Sequence, residues 1–599
     1  MSTSKSPNLT IDPRGQSGNV PLPSARPAIM ASQHAIAAGH YLATEAGMTI
    51  LNAGGNAVDA GVAAGLAMGV VQSDLVNIAG VAPIMMWLAG TGEIVCIDGL
   101  GTWPAAMTPD LFQREHQSVV PVGLLRTVVP GAPAAWLTAL ERYGSMSFAD
   151  VAHAAIRLAR DGFAIDPFMC AVIEENVEGY RRWPSNAAVY LPEDRAPRPG
   201  ERFVQQDLAA TLQYMADEEA AQVDRGRVDG IRAAYDAFYK GDIARTITDF
   251  HREHGGLLRM SDMINFQVRT EPTVRARYAG YDIHCCGAWS QGPALAQVMG
   301  LLNGIDLETL GHNSTRYIHT LTEAIKLAFA DRECYFGDPQ FVDVPVEALL
   351  AEEYVALRRE LIRDDRAWPD LPPPGDARVP VPEHPRSREG NMEVRRAAHS
   401  VEPPTLDTSY VCAVDKHGNV FSATPSDVSY QTPVIPGTGL CPSSRGSQSR
   451  PDPRHPSSVA PGKRPRLTPN PALALKDGKP FMVFGTPGGD VQIQAMAQLL
   501  VNVVTFGLDV QSAIEAPRFA SFSYPSSFAP NTHCPGLLMV EARISRDIRD
   551  ALKALGHDVE AWPERTRKAG ALCAIRIDSE AGFLHASADF RRAGYAMGR

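Results

Sequence analysis

The chain alternates between helix-like and strand-like hydrophobic patterns, and the order of these patterns outlines its organisation. Residues 41–53 are predicted to form a helix that stops at Gly54–Gly55, and a second helix, rich in Ala and Gly, is predicted from Ala57 to Val71. Two short apolar strands, PIMMWLA and EIVCIDG, follow and are joined by GTG, which is a hairpin signal. Residues 145–360 are predicted to be mostly helical. The small residues of the second helix permit close packing, as in a helical layer pressed against a sheet.

Two segments have the composition of disordered chain. The run DLPPPGDARVPVPEHPRSREG is rich in proline and charge and poor in the residues that build a core, so residues 368–406 are predicted to be a flexible linker. The polar N-terminal segment also contains prolines, and residues 1–30 are predicted to be a disordered tail.

Strands are predicted again directly after the linker. Ser409–Val414 and Val420–Ala423 form a predicted hairpin around the turn DKHGN. The first of these strands is apolar on both faces, which is typical of a strand in the middle of a layered structure with helices outside. Further strands are predicted at 469–475 and 480–484, followed by an apolar helix at 491–505.

Composition places the chain among globular proteins and excludes some classes of partner. Of its 599 residues, 45% are hydrophobic and 21% are charged, close to the averages for folded proteins. The formal net charge of −11 disfavours nucleic acids and anionic membrane surfaces, because both bind basic patches. We therefore expect neither a nucleic-acid partner nor a membrane partner.

Other sequence features favour a protein of the cytoplasm. The nine cysteines include no CxxC pair and have no regular spacing, so we expect no disulfide framework. The N-terminal segment has no apolar stretch of signal-peptide type. The most apolar helical run, Ala57 to Val71, spans about 15 residues and includes Asp59, which is too short and too polar for a bilayer.

Thr408 is the leading catalytic candidate, because it stands where the linker meets the predicted core strand. An N-terminal threonine can act as a catalytic unit, since its hydroxyl attacks while its own α-amine accepts the proton. A threonine inside a chain has only an amide nitrogen. If the chain were cut between Asp407 and Thr408, the preceding flexible run would leave the site. The competing interpretation is an ordinary threonine at the start of a strand.

A glycine-rich turn offers a possible site for a developing oxyanion. The segment GTPGGD, residues 485–490, lies between a predicted strand and a predicted helix. Glycines there let backbone N–H groups approach a developing negative charge, and the helix N-terminus adds positive potential. It is not a phosphate-binding Walker loop, because no Gly-Lys-Ser/Thr follows. An ordinary tight strand-to-helix turn is the alternative.

Two other motifs are candidates for a nucleophile and for a metal site. Ser290 in AWSQG follows a predicted strand and precedes a predicted helix, the context of a hydrolase nucleophile elbow, but Ala288 replaces the first glycine of G-x-S-x-G. His251 and His254 in HREH do not have the i,i+4 spacing of a helical metal pair, and no HExxH occurs. We expect no metal and no other cofactor.

Taken together, these stretches resemble the γ-glutamyltransferase family of N-terminal nucleophile hydrolases. AGMTILNAGGNAVDAGVAA, YGSMSFADVAHAAIRLARDGFAI, AFADRECYFGDPQF, DTSYVCAVDKHGNV, PGKRPRLTPNPAL and GTPGGDVQIQAMAQLL follow in the family's order over some 550 residues. The resemblance implies an αββα sandwich of four layers, in the α/β (α+β) class. It also implies self-cleavage into a large chain, residues 31–407 after the tail, and a small chain, residues 408–599.

The resemblance also implies roles for individual residues. Thr408 would match the nucleophile exposed by cleavage of the Asp407–Thr408 bond. Gly488 and Gly489 would match the glycines whose N–H groups form the oxyanion hole. Ser426 would match a hydroxyl on the second strand that hydrogen-bonds the nucleophile, and Thr424 lies two residues earlier on the same face.

The departures from the family pattern concern substrate recognition. Leu100 stands where glutathione-cleaving members carry an arginine for the glutamate α-carboxylate. The acidic residue that holds the α-amine falls within GLCPSSRGSQS, which contains no Asp or Glu, and the paired serines fall at Leu467–Thr468. Each charge-assisted hydrogen bond lost is worth roughly 1.5–3 kcal/mol.

The sequence therefore predicts a self-processing amidohydrolase or acylase that acts on a small-molecule amide unlike glutathione. One alternative is a true γ-glutamyltransferase that anchors glutamate through other residues, for instance Arg445 or Arg466. Another is an uncleaved, inactive homologue that acts as a binding protein. The two chains of one precursor are the expected partners, and a homo-oligomer is left open.

Overall fold

The structure is a computed structural model that describes residues 24–377 and 408–599. The strands of these residues are β1 (Ile29–Ala31), β2 (Ala35–Ala38), β3 (Ile84–Leu88), β4 (Glu93–Ile97), β5 (Phe163–Ala164), β6 (Arg202–Phe203), β7 (Thr270–Glu271), β8 (Val274–Tyr278), β9 (Tyr281–Cys285), β10 (Val411–Val414), β11 (Val420–Ala423), β12 (Ala472–Lys476), β13 (Lys479–Gly485), β14 (Phe519–Ser521), β15 (Leu537–Glu541), β16 (Asp558–Trp562), β17 (Cys573–Asp578), β18 (Phe583–Ala588) and β19 (Tyr595–Gly598).

The α-helices of the same residues vary from one turn to 21 residues. They are α1 (Tyr41–Asn52), α2 (Ala57–Val71), α3 (Leu111–Glu115), α4 (Ala132–Tyr143), α5 (Phe148–Asp161), α6 (Pro167–Glu175), α7 (Val177–Arg181), α8 (Pro184–Tyr190), α9 (Gln206–Ala220), α10 (Arg227–Tyr239), α11 (Asp242–Glu253), α12 (Met260–Ile264), α13 (Gly292–Leu302), α14 (Leu307–Leu310), α15 (Thr315–Tyr335), α16 (Val346–Leu350), α17 (Glu352–Arg359), α18 (Gln492–Val504), α19 (Val510–Glu515) and α20 (Arg546–Ala554).

Two large sheets form the centre of the molecule. One has the strand order β1-β18-β17-β13-β12-β9-β8, the other has the order β19-β2-β10-β11-β3-β4-β7, and all neighbouring strands within them are antiparallel. A small sheet of β14, β15 and β16 and the pair β5–β6 lie apart from them. The predicted hairpin of residues 409–423 is confirmed as β10 and β11, at the centre of the second sheet.

Three hydrophobic clusters define four layers. One cluster lies between the sheets. It contains Tyr410, which directly precedes β10, and Cys412 of β10, together with Leu473, Val483 and Ile575 from the facing sheet. A second cluster packs helices such as α2, α4 and α5 on the outer face of the sheet that holds β10. A third packs α13, α15 and α18 on the outer face of the other sheet. The αββα arrangement expected from the sequence is thereby confirmed.

Helix α2 shows how the sequence builds a helix layer. The helix starts at Asn56, whose side chain accepts from the N–H groups of Val58 and Asp59, while the Asp59 side chain accepts from the Asn56 N–H. Its glycines leave room for aromatic rings, because a Cβ on Gly61 would lie 2.0 Å from the Phe421 ring of β11. The small residues noted in the sequence therefore bring the helix close to the sheet.

Both large sheets combine strands from before and after residue 408. The sheet that contains β10 and β11 also takes β2, β3, β4 and β7 from the first part of the chain, and the other sheet takes β1, β8 and β9. A cut before Thr408 would therefore leave two chains that share both sheets.

Residues 24–30, the last part of the predicted N-terminal tail, are ordered. Backbone N–H groups of Ala25 and Arg26 donate to the Glu515 carboxylate, at 2.5 and 3.0 Å, and β1 pairs with β18 at the edge of a sheet. A three-residue edge strand is too short to give a periodic signal, so the sequence did not reveal it. Residues 1–23 lie outside the described residues.

Residues 368–377, the first part of the predicted linker, are ordered as well. The Trp368 N–H donates to Glu323 at 3.0 Å, and the Gly375 N–H donates to Asp331 at 2.9 Å, so residues 368–377 pack on α15. A proline-rich segment can pack on a folded surface when the N–H groups of its other residues find acceptors there. Residues 378–407, including the expected cleavage residue Asp407, lie outside the described residues.

In the described parts of the chain, none of the helices combines the length and the apolar character required to cross a membrane.

The close contact between α2 and β11 gives a stability prediction. Gly61→Ala should lower the midpoint of thermal unfolding, because the new methyl group overlaps the Phe421 ring and such overpacking costs about 1–3 kcal/mol. Gly300→Ala in α13 is the matched control, since its Cβ would meet Val355 at an ordinary 3.6 Å. This control should be neutral or stabilising, as alanine favours a helix over glycine. Equal midpoints for the two variants would contradict the packing described here.

Candidate active site

The β10–β11 hairpin brings Thr408 and Ser426 together. Val411 pairs with Ala423 in the hairpin, and the same register continues to a bridge between Thr408 and Ser426 just beyond the strand ends. The Thr408 Oγ1 and Ser426 Oγ atoms are 2.7 Å apart, and both residues are buried. The pairing of these two hydroxyl groups follows from the hairpin register alone.

The site faces the space between the two sheets. Side chains alternate along a strand, so Thr408 points to the same side as Tyr410 and Cys412, which lie in the cluster between the sheets. The same register places Thr424 opposite Tyr410. The Thr424 N–H donates to Pro83 O at 3.1 Å, and its buried Oγ1 has no hydrogen-bond partner among the described residues. Thr424 therefore shares the face, one step further from Thr408 than Ser426.

Arg445 forms the third part of this group. It opens a 3₁₀ turn, Arg445–Gln448, and its side chain is 2% exposed. An Nη of the guanidinium group donates to Ser426 Oγ, and Nε lies 3.7 Å from Asp427 Oδ2. The Phe528 ring packs against the group, with its centre 5.6 Å away. A buried cation is thereby placed one hydroxyl group from Thr408.

Asp427, the residue after Ser426, has a strained backbone conformation. Its φ of 143° lies in a region that side chains rarely adopt, and such strain tends to occur at functional sites. Several bonds over-determine this conformation: the carboxylate accepts from Ser443 Oγ at 2.6 Å and from the Ser444 N–H at 3.0 Å, while Asn77 donates to the Asp427 carbonyl at 2.7 Å.

The glycine-rich segment faces the hairpin from the opposite sheet. A Cβ on Gly485, the last residue of β13, would lie 2.3 Å from the Tyr410 ring, so the two backbones are closely apposed there. Gly488 and Gly489 have φ values of 123° and 57°, which side chains would strain. Their N–H groups have no acceptor among the described residues. The turn therefore carries backbone donors a few residues after the point where β13 meets Tyr410.

Gln291 fixes the position of the glycine turn. Its Nε2 donates to Gly489 O at 2.9 Å and to Thr468 O at 2.8 Å. The Thr468 hydroxyl in turn accepts from Gln448 Nε2 at 3.0 Å. Thr468 is thus connected both to the glycine turn and to the 3₁₀ turn that begins at Arg445. No local pattern predicts this role of Gln291, because its partners are far away in the chain.

Leu100 and Arg466 lie in different surroundings from Arg445. Leu100 is buried in the cluster between the sheets. The Arg466 guanidinium group donates to Glu333 at 2.6 Å and to the Arg332 carbonyl at 3.1 Å. Burial lowers the pKa of Arg466 to about 10. Of the two arginines considered for the glutamate carboxylate, only Arg445 touches the Thr408–Ser426 pair among the described residues.

A buried charge network lies behind the glycine turn. Asp490, which follows Gly489, is paired with Arg332 at 2.5 Å, and Arg332 is also paired with Glu333 at 2.9 Å. Burial would raise the pKa of Glu333, but the guanidinium groups of Arg466, Arg450 and Arg332 hold it well below its ordinary value. The turn is therefore anchored by ion pairs at its far end.

The Ser290 hydroxyl group forms hydrogen bonds within a local turn. Its Oγ donates to Gly287 O at 2.9 Å and accepts from the Gly292 N–H at 2.9 Å, at the start of α13. The expected strand and helix flank it, as β9 and α13. Both bonds join neighbours in the chain, and no histidine contacts the hydroxyl among the described residues.

The histidines of HREH have structural surroundings as well. Burial lowers the pKa of His251 to about 3, and His254 Nδ1 lies 2.9 Å from Phe250 O. A different group, His319, Glu323 and His557, has the spacing of possible metal ligands. There the His319 Nδ1 and His557 Nε2 atoms are 2.8 Å apart, and Lys326 Nζ already neutralises Glu323 at 2.9 Å. This group acts as a hydrogen-bonded contact between α15 and the segment before β16.

Several known proteins are similar to this chain over nearly its whole length. The chain is 32% identical over 601 residues to "Acylase ACY 1 proenzyme" of Pseudomonas sp. (strain SE83), covering 96% of this chain and 97% of that protein. The solved structure of LmbA2991HD is 35% identical, with a TM-score of 0.89 over 96% of this chain and 100% of that one. The structure of cephalosporin acylase from Bacillus halodurans is 26% identical, with a TM-score of 0.82 over 99% of both chains.

Proteins named glutathione hydrolase proenzyme are also among the relatives. The sequence pattern of the family described as gamma-glutamyltranspeptidase matches residues 43–599. This chain therefore belongs to the gamma-glutamyltranspeptidase family of amide hydrolases.

Proposed function

We propose that this protein is a self-processing acylase that hydrolyses a small amide through Thr408. The observation that carries the proposal is the buried 2.7 Å contact between Thr408 Oγ1 and Ser426 Oγ, opposite a turn that presents the N–H groups of Gly488 and Gly489. The names of several relatives support it, because they describe proenzymes of an acylase and of glutathione hydrolases.

Cleavage of the bond before Thr408 would give this residue a free α-amine. The Thr408 oxygen would then attack the substrate carbonyl carbon while the amine takes the hydroxyl proton. The N–H groups of Gly488 and Gly489 would bind the negative oxygen of the tetrahedral intermediate.

The carbon–nitrogen bond would next break, and the leaving amine would take the proton from the Thr408 ammonium group. Water would attack the resulting ester, giving its proton to the α-amine. Collapse of the second intermediate releases a carboxylic acid, and the proton returns to the Thr408 oxygen. The net reaction is one amide plus one water to one acid and one amine.

The substrate is proposed to differ from a γ-glutamyl compound. Leu100 is buried and apolar, and Arg466 is committed to Glu333. Arg445 lies at the site but is a cation, so it can attract a carboxylate and repels the ammonium group of a zwitterion. An amide whose acyl part lacks a free α-amine suits these charges better than glutathione does.

A γ-glutamyltransferase is the second candidate, and the position of Arg445 is the observation that favours it. In that function Arg445 would bind the glutamate α-carboxylate in place of a residue at position 100. The preference for water or for another acceptor would then decide between hydrolysis and transfer.

The first test concerns processing. Purified protein should give two bands on a denaturing gel, and N-terminal sequencing of the smaller should begin Thr-Ser-Tyr-Val. Thr408→Ala should remain a single full-length chain, because no hydroxyl is left to attack the preceding carbonyl. Wild-type protein that stays intact through prolonged incubation would instead favour the uncleaved binding protein.

A second test separates the two candidate nucleophiles. Ser290→Ala should be processed and should turn over substrate almost as wild type does, because the Ser290 hydroxyl only joins the ends of a local turn. Loss of that turn should cost about 0.5–1.5 kcal/mol of stability, seen as a lower unfolding midpoint. Thr408→Ala should abolish both processing and turnover. The reverse pattern would move the assignment to Ser290.

The third test concerns specificity. The kcat/KM for γ-glutamyl anilide should be at least about 100-fold below that for the best amide in a panel of simple amides and N-acyl amino acids, which corresponds to roughly 2.7 kcal/mol. Leu100→Arg should improve γ-glutamyl turnover only slightly, because the α-amine still lacks an acidic partner. Efficient glutathione hydrolysis by the unmodified protein would support the second candidate.

A further inference from the structure

Arg445 belongs to a hydrogen-bonded chain that ends on the nucleophile. Its guanidinium group donates to Ser426 Oγ, and Ser426 Oγ is 2.7 Å from Thr408 Oγ1. Resting on the function proposed above, we propose that Arg445 is a positioning residue, which directs the Ser426 hydroxyl onto Thr408 and keeps the new α-amine of Thr408 in its neutral, proton-accepting form.

The direction of the hydrogen bonds follows from the chemistry of the donors. A guanidinium group has only N–H donors, so Arg445 occupies a lone pair of Ser426 Oγ. The Ser426 proton is then directed to an acceptor, and Thr408 Oγ1 lies at hydrogen-bond distance. If Thr408 Oγ1 accepts that proton, its own hydroxyl proton points elsewhere. In the cleaved chain the α-amine on the same residue is within reach of it.

Self-cleavage makes a related demand on this chain of bonds. Before cleavage the Thr408 nitrogen is an amide and cannot serve as a base. The attacking oxygen then depends on Ser426 and, through it, on Arg445 for its orientation. Loss of Arg445 should therefore slow processing as well as turnover.

The electrostatic part of the inference concerns the α-amine created by cleavage. A nearby cation disfavours protonation of an amine, because the two positive charges repel. Arg445 is separated from Thr408 by one hydroxyl group, so after partial compensation by neighbouring groups its repulsion should lower the pKa of the new α-amine by about one unit.

Other charged groups face this region and must be included. Asp427 is the nearest carboxylate to Arg445 among the described ion pairs, at 3.7 Å. Its oxygens already accept from Ser443 and Ser444, which limits the compensation. Among the described residues, other charged or titratable groups around the site include Tyr410 and Cys412 on the same face of the hairpin, and Arg126 and Cys441, which both interact electrostatically with Asp427. They also include Arg592, which lies 3.5 Å from Thr408 O, and the Asp490–Arg332 pair behind the glycine turn.

The experiment compares Arg445→Gln and Arg445→Lys in the full-length chain. The substrate is the best amide of the panel with an uncharged acyl group, so that direct binding of a substrate carboxylate plays no part. The pH dependence of kcat/KM reports the free enzyme, and its acid limb reports the base. Processing is followed on gels, and pH-dependent acetylation of the small chain's N-terminus, read by mass spectrometry, titrates the same amine without any substrate.

Arg445→Gln should move the acid limb and the acetylation midpoint to higher pH by about one unit, because the amine is then protonated more easily. Its processing should be at least about 10-fold slower. Arg445→Lys keeps the charge but loses the planar fork, so the limb should stay near wild type while kcat falls. A merely structural role predicts lower activity in both variants with no movement of the limb, and this result would overturn the proposal.

Two controls make the outcome decisive. Arg454→Gln removes a cation whose side chain is 82% exposed and paired with Asp452. It should leave the limb and processing unchanged, and an equal shift in this variant would show a general effect of net charge instead. Activity that survives Thr408→Ala would contradict the proposed nucleophile itself. Such a result is distinct from an unmoved limb in the Arg445 variants.

Discussion

The register of the β10–β11 hairpin is the constraint on which the site depends. Side chains alternate along a strand, so a slip of one residue would turn Thr408 from the space between the sheets toward the helix layer. Asp415 fixes the turn: its carboxylate accepts from the N–H groups of His417 and Asn419, at 2.8 and 3.0 Å. The same carboxylate accepts from the first N–H of α2, on Ala57, at 2.9 Å. The hairpin is thus tied to the helix layer at one end, and its other end carries Thr408, the proposed nucleophile.

The buried charges behind the glycine turn position that turn more than they stabilise the folded state. Arg332 is buried against the Phe329 ring at 4.0 Å and pairs with Asp490 and Glu333. Removing charges from water costs several kcal/mol for each ion, which such pairs repay only with good geometry. Removing a single partner leaves an unpaired charge in the interior. The network therefore holds the residue after Gly489 in one place, and it accounts for the burial of Arg466, which pairs with Glu333.

Local patterns were sufficient to predict much of the fold. The helices α1 and α2, the hairpin and the strand–turn–helix around GTPGGD all carry strong local signals, such as caps, glycines and apolar runs. Strand β1 has no such signal, because three residues are too few to show a hydrophobic period. Residues 368–377 are ordered despite a composition typical of a linker, because the N–H groups of Trp368 and Gly375 find acceptors on α15, about 45 residues earlier in the chain.

The site divides in the same way between local and distant information. The contact of Thr408 with Ser426 follows from the hairpin register, which the sequence contains. The surroundings of Arg445 and Arg466 do not, since both arginines lie in irregular segments before strand β12 that carry no local signal for their partners. Only the folded chain places one beside Ser426 and the other beside Glu333.

The charge beside the nucleophile connects processing with substrate choice. A cation at Arg445 acts on any charge that enters the site, whether it is the new α-amine of Thr408, a carboxylate or an ammonium group of the substrate. It favours the neutral amine that the reaction needs, and it disfavours a substrate that brings its own ammonium group. The family's glutamate site needs an acidic partner for that group, and an acid next to Thr408 would instead stabilise the protonated amine. Under the proposed function, a cation in this region that has no acidic neighbour for a substrate ammonium group would affect the base and the substrate together, so position 100 alone would not determine either.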